Sequence, residues 1–148
     1  MESFKSNYFA LQLLIIERLR EAVPELMFVD GSRSRQDVAE RVVPLPAALV
    51  LFGGDTIQPR NSAGQGAIQI VTLTFVIEIV VPSNWCAVSG EGSLMQGGHL
   101  YRKVIDAFAG WEPSGEYDPM YRTQANRPIY EDTEDYYQLA FSTEAVTQ

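Results

Sequence analysis

A fifteen-residue run, residues 67–81, reads AIQIVTLTFVIEIVV and alternates between two kinds of side chain. The odd-numbered residues from position 71 onward are all apolar, whereas the even-numbered ones mix Thr72, Thr74 and Glu78 with aliphatic residues. Successive side chains of a β-strand point to opposite faces of the sheet. The pattern therefore predicts a strand with one face in the core and one face only partly covered.

The same run is long for the chain that contains it. At ~3.3 Å per residue a strand of this length reaches roughly 50 Å. A compact chain of 148 residues has a diameter of about 38 Å. We therefore expect one end of the strand to bend or to project towards a partner. Because turn-forming residues precede it and Pro82 follows it, we expect Ile68 and Ile70 to reach a neighbour while Leu73 to Ile79 stay in the home core.

Length and composition predict one globular domain over residues 1–148. The net charge of −8 disfavours general binding of nucleic acid or of an anionic membrane, because both require a basic surface. No run approaches the ~20 apolar residues that cross a bilayer, and the N-terminus lacks the features of a signal peptide. Cys86 is the only cysteine, so we expect folding in a reducing cytoplasm.

Two amphipathic helices are predicted. The first runs from Ser3 or Ser6 to Ala22, before Pro24. Its apolar residues form two adjoining stripes, Leu11, Ile15, Leu19 and Val23, and Phe9, Leu13 and Ile16. Such a wide apolar arc indicates burial under a sheet or between subunits. The second helix runs from Ser93 or Leu94 to Ala109, with Gly110 at its C-terminal cap; its core face comprises Tyr101, Val104, Ile105 and Phe108.

Four further strands are expected besides the long one. They are Leu26–Val29, Ala47–Phe52 closed by Gly53-Gly54, Met120–Tyr130 and Tyr136–Val146. Hairpin connections predict an α+β fold: a mainly antiparallel or mixed four- to five-stranded sheet with two helices packed on one face.

Two long polar loops and one acidic run are the candidate interaction segments. The loop Ser32–Pro46 and the hairpin tip Asp55–Gly66 are either solvated or pair with a neighbouring subunit. The candidate interface residues are Arg33, Arg35, Arg41, Asp55, Gln58, Arg60, Asn61, Ile68 and Ile70. The acidic run, predicted to be a solvated turn or a functional electrostatic surface, consists of Glu131, Asp132, Glu134 and Asp135.

The sequence contains no pattern that predicts catalysis, a cofactor or a metal. His99 is the only histidine, and we interpret it as a surface or partly buried helix residue. Nothing in the spacing supports Cys86 as a nucleophile. The glycine clusters match neither the P-loop nor the dinucleotide-binding pattern. We therefore expect a protein that is not an enzyme.

Four short sequence segments show a resemblance that extends over nearly the whole chain. They are PAALVLFGG at 46–54, TLTFVIEIVV at 72–81, VIDAFAGW at 104–111 and YYQLAFST at 136–143. With the order of helices and strands, they resemble the tail terminator (tail-completion) proteins of long-tailed bacteriophages and related contractile particles.

The resemblance implies a non-enzymatic structural protein with an α+β fold and no cofactor. Such proteins form a hexameric ring that caps the tail tube, stops its polymerisation and joins the tail to the head or neck. The implied partners are further copies, the tube protein, head–tail connector or neck proteins and a sheath protein, with DNA only in transit and no membrane. The implied location is the tail-neck region of the virion, assembled in the host cytoplasm.

This resemblance suggests candidate roles for the hairpin tip and the acidic run. The tip Asp55–Gly66 is a candidate for gripping a neighbouring subunit or the tube. The run Glu131 to Asp135 is a candidate lumen or end surface, since negative charge repels phosphate. The alternatives are another head–tail connector or neck component and, from a different class, a small α+β ligand-binding domain or enzyme.

Overall fold

The computed structural model describes residues 2–31, 43–58, 68–83, 91–124, 126–131 and 133–147. Two helices and six strands are present in these ranges. In chain order they are α1 (Ala10–Ala22), β1 (Phe28–Gly31), β2 (Ala47–Ile57), β3 (Ile70–Pro82), α2 (Glu91–Phe108), β4 (Tyr121–Arg122), β5 (Ile129–Tyr130) and β6 (Glu134–Val146). The α+β prediction is confirmed. None of the described helices is long and apolar enough to span a membrane.

The strands form one mixed sheet in the order β1-β2-β3-β6-β4, with β5 also paired to β6. The β1–β2 pair is parallel, and the other pairs are antiparallel. Six strands replace the predicted four or five because the expected strand Met120–Tyr130 is broken into β4 and β5. Pro128 lies in the break, and proline lacks the N–H that a continuous ladder needs.

The long strand lies at the centre of the sheet and confirms the predicted alternation. β3 pairs with β2 on one side and, along its whole length, with β6 on the other. Its odd-numbered residues from Val71 to Val81 are buried beneath the helices. The other face is exposed at Ile70 but buried at Glu78 and Val80.

Both helices pack on the same face, as predicted. α1 lies over β1 and β2, and α2 lies over β3 and β6. The core between helices and sheet includes Leu11, Ile15, Leu19, Val50, Leu73, Phe75, Ile77, Val104, Phe108, Leu139 and Phe141. On the opposite face, a smaller cluster of Ala47, Leu49, Val80 and Tyr136 is covered by Val43 and Leu45.

The predicted start of α1 is wrong. The helix begins at Ala10, because the preceding residues form turns held by short polar side chains. The hydroxyl oxygens of Ser3 and Ser6 are 3.2 Å apart, and Asn7 Oδ1 accepts from Phe9 N at 3.0 Å. Such local bonds compete with the helical ladder. The end of α1 at Ala22 is confirmed.

Other boundaries also differ from the predictions. β1 is Phe28–Gly31, so Asp30 and Gly31 belong to the strand, and α2 begins at Glu91. β6 begins at Glu134 rather than Tyr136. Gly110 has φ of +81°, which confirms it as the left-handed residue after α2.

β2 does not end at Gly53-Gly54 as predicted. A bulge lies between Phe52, which pairs with Phe75, and Gly54, which pairs with Thr74. Gly54 has φ of +106°, a conformation that favours glycine. The bulge lets the strand continue to Ile57, so residues 55–57 belong to the sheet and not to a loop.

Candidate interaction surfaces

Four apolar side chains are exposed at one end of the sheet, three beside the β2–β3 connection and one at the end of β6. The exposed fractions are 40% for Ile68, 43% for Ile70, 47% for Val146 and 50% for Ile57. Ile70 and Val146 are register partners, and such partners share one face. Ile57 pairs with Val71 and lies on the helix side of the sheet. We call these four residues the hairpin-end surface.

Backbone hydrogen bonds hold the hairpin-end surface in place. Gln58 N donates to Ile70 O at 3.0 Å, and Thr147 N donates to Gln69 O at 2.9 Å. Gln69 N in turn donates to the Thr147 hydroxyl at 3.0 Å. The sequence predicted Ile68 and Ile70 as interface candidates and placed Ile57 within the tip Asp55–Gly66, but it did not single out Val146. The positions of Ile57 and Val146 at this end of the sheet follow from the bulge in β2 and from the β3–β6 register, neither of which a single-strand pattern contains.

The other predicted interface residues are only partly described. Gln58 is exposed. Asp55 accepts a hydrogen bond from the Tyr8 hydroxyl, which ties the N-terminal turn to β2. Burial, together with the hydrogen bond and charge of Asp55, raises the pKa of Tyr8 to about 12. The five others, Arg33, Arg35, Arg41, Arg60 and Asn61, lie outside the described residues, so their predicted roles stay predictions.

The acidic run is not a uniformly solvated turn. Glu131 is exposed, but Asp135 is buried within β6, and Asp132 lies outside the described residues. Glu134 Oε2 accepts from the Tyr136 hydroxyl at 2.6 Å. The pKa of Tyr136 is raised by burial first, and then by Glu134 and nearby carboxylates. The prediction of a solvated run is wrong at Asp135 because β6 begins earlier than expected.

An aromatic series crosses the helix side of the sheet, with buried rings at both ends and exposed rings at Phe9 and Phe52. The rings contact in the order Tyr117, Phe4, Tyr8, Phe9, Phe52 and Phe75, with centroids 5.0–5.8 Å apart. Phe9, which directly precedes α1, and Leu13, four residues later on α1, are 48% and 53% exposed. We call this pair the α1 ridge. The second predicted stripe is therefore buried only at Ile16.

A groove of about 240 Å³ lies between α2, β6 and residues 126–128. We call it the α2 groove. Its lining comprises Leu94, Gly97, Gly98, Tyr101, Asn126, Pro128, Tyr137 and Gln138. Glycine in a helix interior costs about 1 kcal/mol relative to alanine. Gly97 has a reason to be glycine, because a Cβ there would lie 2.6 Å from the Tyr137 ring; a Cβ on Gly98 would meet no atom within 4 Å.

The structure places the remaining candidate residues as follows. His99 is exposed on α2, which confirms its interpretation as a surface helix residue, and Cys86 lies outside the described residues. Within the described ranges, no three His, Cys, Asp or Glu side chains form a group that could hold a metal ion.

Comparison with known proteins identifies both fold and family. The structure is similar to a chain from "Virion of native gene transfer agent (GTA) particle", with a TM-score of 0.57 and 16% identity over 94% of this chain and 96% of that chain. At that identity the similarity shows a shared fold. A comparison with curated proteins gives no match. A family model described as "Phage tail terminator protein" matches residues 4–148. The chain therefore belongs to the phage tail terminator family, and it is a structural protein of the virion tail.

Proposed function

We propose that this chain forms a ring, hexameric as the family resemblance implies, on the end of the completed tail tube. The ring stops tube polymerisation and presents a surface that joins the tail to the head or neck. The hairpin-end surface carries this proposal, because it is an apolar surface at one end of the sheet, held by backbone hydrogen bonds, with no cover in the described part of the chain.

The energy of the hairpin-end surface indicates how such a ring assembles. Each of its four side chains is about half exposed. Burying the exposed half of each side chain in a contact contributes roughly 1 kcal/mol per side chain to association. Association costs ~4–15 kcal/mol in lost freedom of motion. One such contact is too weak to hold two free subunits, so assembly needs either the tube end as a template or a second surface between subunits.

The charge of the chain suits a ring through which DNA passes. The net charge is −8, and Glu131 is exposed at the β5–β6 turn. Negative charge repels phosphate and limits adhesion of DNA to the protein. In this proposal the β5–β6 turn faces the lumen or an end of the ring.

Tail length is the decisive measurement. Deletion of the gene is expected to give tails of irregular and excessive length in electron micrographs, and the wild-type gene supplied in trans should restore them. Tails of normal length that fail to join heads would instead indicate another connector component. Tails of normal length that join heads normally would contradict both roles.

A matched pair of variants connects this function to the hairpin-end surface. The double substitution Ile68→Asp and Ile70→Asp should fail to restore tail length. Met27→Asp places one such charge on an exposed apolar side chain next to β1 and should restore tail length. Restoration of normal tail length by both variants would mean that the hairpin-end surface takes no part in termination.

A further inference from the structure

We propose that the α2 groove of one subunit binds the α1 ridge of a second copy. The contact rests on the ring proposed above and supplies its second surface. It is heterologous, since a different part of each subunit takes part, and it repeats from copy to copy around the ring.

The glycine at position 98, in the interior of α2, is the first observation that supports this contact. Glycine destabilises a helix interior, so its presence there calls for a reason. Tyr137 supplies that reason for Gly97, but no atom of the described subunit lies where a Cβ on Gly98 would stand. Close approach of another helix is a reason that lies outside the subunit, because a position without Cβ lets two helix axes come near each other.

The rim of the α2 groove is basic. The Arg122 guanidinium stacks on the Tyr101 ring, 5.5 Å from its centroid, and donates to the Tyr101 hydroxyl at 3.1 Å. Arg127 stands between the lining residues Asn126 and Pro128 and is exposed. Within the described residues Arg127 has no ion pair, so its charge is available to a partner.

The α1 ridge has the opposite charge on its flanks. Leu13 borders a surface depression on α1, and Glu17, one turn after Leu13, and Glu2 line the same depression. Neither carboxylate has an ion pair among the described residues. Arg20 also lines the depression, but it donates to Val29 O at 2.9 Å. An apolar ridge with acidic flanks therefore complements an apolar groove with a basic rim.

The two surfaces lie on opposite flanks of the subunit. α1 covers β1 and β2, and the Phe9 ring contacts Phe52 of β2. The groove lies between α2 and the β4–β5 connection, at the other edge of the sheet. β3 lies between β2, which the Phe9 ring contacts through Phe52, and β6, which contributes Tyr137 to the groove. In this proposal the ridge therefore enters the groove of a neighbouring copy and not the groove of its own subunit.

Disulfide trapping in assembled tails tests the contact. In a Cys86→Ser background, Leu13→Cys and Gly98→Cys are combined in one chain that is the only copy in the cell. Non-reducing gels of purified tails should then show a ladder that ends at the closed ring. Each single cysteine should give monomers. Lys103→Cys replaces Gly98→Cys as the control, because Lys103 forms an ion pair with Glu25 and so faces the α1 side of α2.

The outcomes separate this contact from the proposed function. Monomers from the double variant, with the protein present on tail ends, would overturn the groove–ridge contact and leave the ring intact. A ladder with Lys103→Cys but not with Gly98→Cys would also overturn it. If Gly98→Trp abolishes incorporation into tails while the double variant gives no ladder, the groove binds a different particle protein and the proposal is wrong.

Charge reversal gives an independent readout. Glu17→Arg and Arg127→Glu should each weaken self-association several-fold in sedimentation experiments, and the combination in one chain should restore it. If the combined variant self-associates more weakly than either single variant, a direct pairing of the two surfaces is contradicted.

Discussion

Ile70 and Val146 face each other across β3 and β6 and stand exposed together at the end of the sheet. The next residue along, Val71, points to the opposite face and is almost completely buried. One step along the chain therefore separates a surface available for assembly from the core.

This boundary predicts contrasting effects of the same substitution. Ile70→Asp should leave the free energy of unfolding within about 0.5 kcal/mol of wild type, as is usual for surface positions. Val71→Asp buries a charge and should lower it by more than about 3 kcal/mol. Denaturant unfolding monitored by circular dichroism measures both. Equal destabilisation would mean that the hairpin end belongs to the subunit's own core.

Two tyrosines near the N-terminal turn should respond differently to loss of the hydroxyl. Tyr8 donates to Asp55, so Tyr8→Phe should destabilise the protein by about 1 kcal/mol. The buried Tyr117 hydroxyl has no hydrogen-bond partner in the described chain, so Tyr117→Phe should be neutral or stabilising. Thermal unfolding at pH 7 distinguishes the two, and a reversed order would contradict these assignments.

The same two tyrosines predict loss of stability at alkaline pH. Burial raises the pKa of Tyr8 and of Tyr117 from 10.0 to about 12. Because its pKa is raised, each hydroxyl keeps its proton to a higher pH in the folded state than in the unfolded state. The contribution of these hydroxyls to the free energy of unfolding is therefore complete below pH 10 and is lost as the pH rises from about 10 to about 12. Unfolding free energies measured across that range should fall less steeply in the double variant Tyr8→Phe and Tyr117→Phe. An unchanged slope would exclude these groups as the cause.

Adjacent glycines in α2 should give effects of opposite sign. Gly98→Ala adds a methyl group in open space and should stabilise the helix by about 0.5–1 kcal/mol. Gly97→Ala places its Cβ against the Tyr137 ring and should destabilise the protein by roughly 1–3 kcal/mol. Chemical denaturation provides the comparison. Destabilisation by Gly98→Ala would reveal a requirement for glycine within the subunit.

The sequence predicted the features that depend on local periodicity. The core face of β3, the end of α1 before Pro24 and the cap at Gly110 all follow from residues that are close in the chain. The sheet-and-helix arrangement could also be predicted, since hairpins and two amphipathic helices leave few ways to bury the apolar faces.

Features that depend on pairing between distant residues could not be predicted. Continuation of β2 beyond Gly53 depends on a bulge opposite Thr74. Burial of Asp135 depends on β5 and on the register of β6 with β3. For the same reason the candidate surface was predicted at Ile68, Ile70 and the tip Asp55–Gly66 but not at Val146, which lies 76 positions after Ile70 in the chain and joins the surface through β6.

The pairing of β3 with β6 from Ile70↔Val146 to Pro82↔Glu134 also has a mechanical consequence. This ladder connects the hairpin end to the start of β6, over about 40 Å at ~3.3 Å per residue. In an antiparallel ladder the hydrogen bonds lie perpendicular to the strands. A tensile load along the strand axis therefore acts on these bonds in shear and is shared among them, whereas a load that peeled one strand away would break them one at a time.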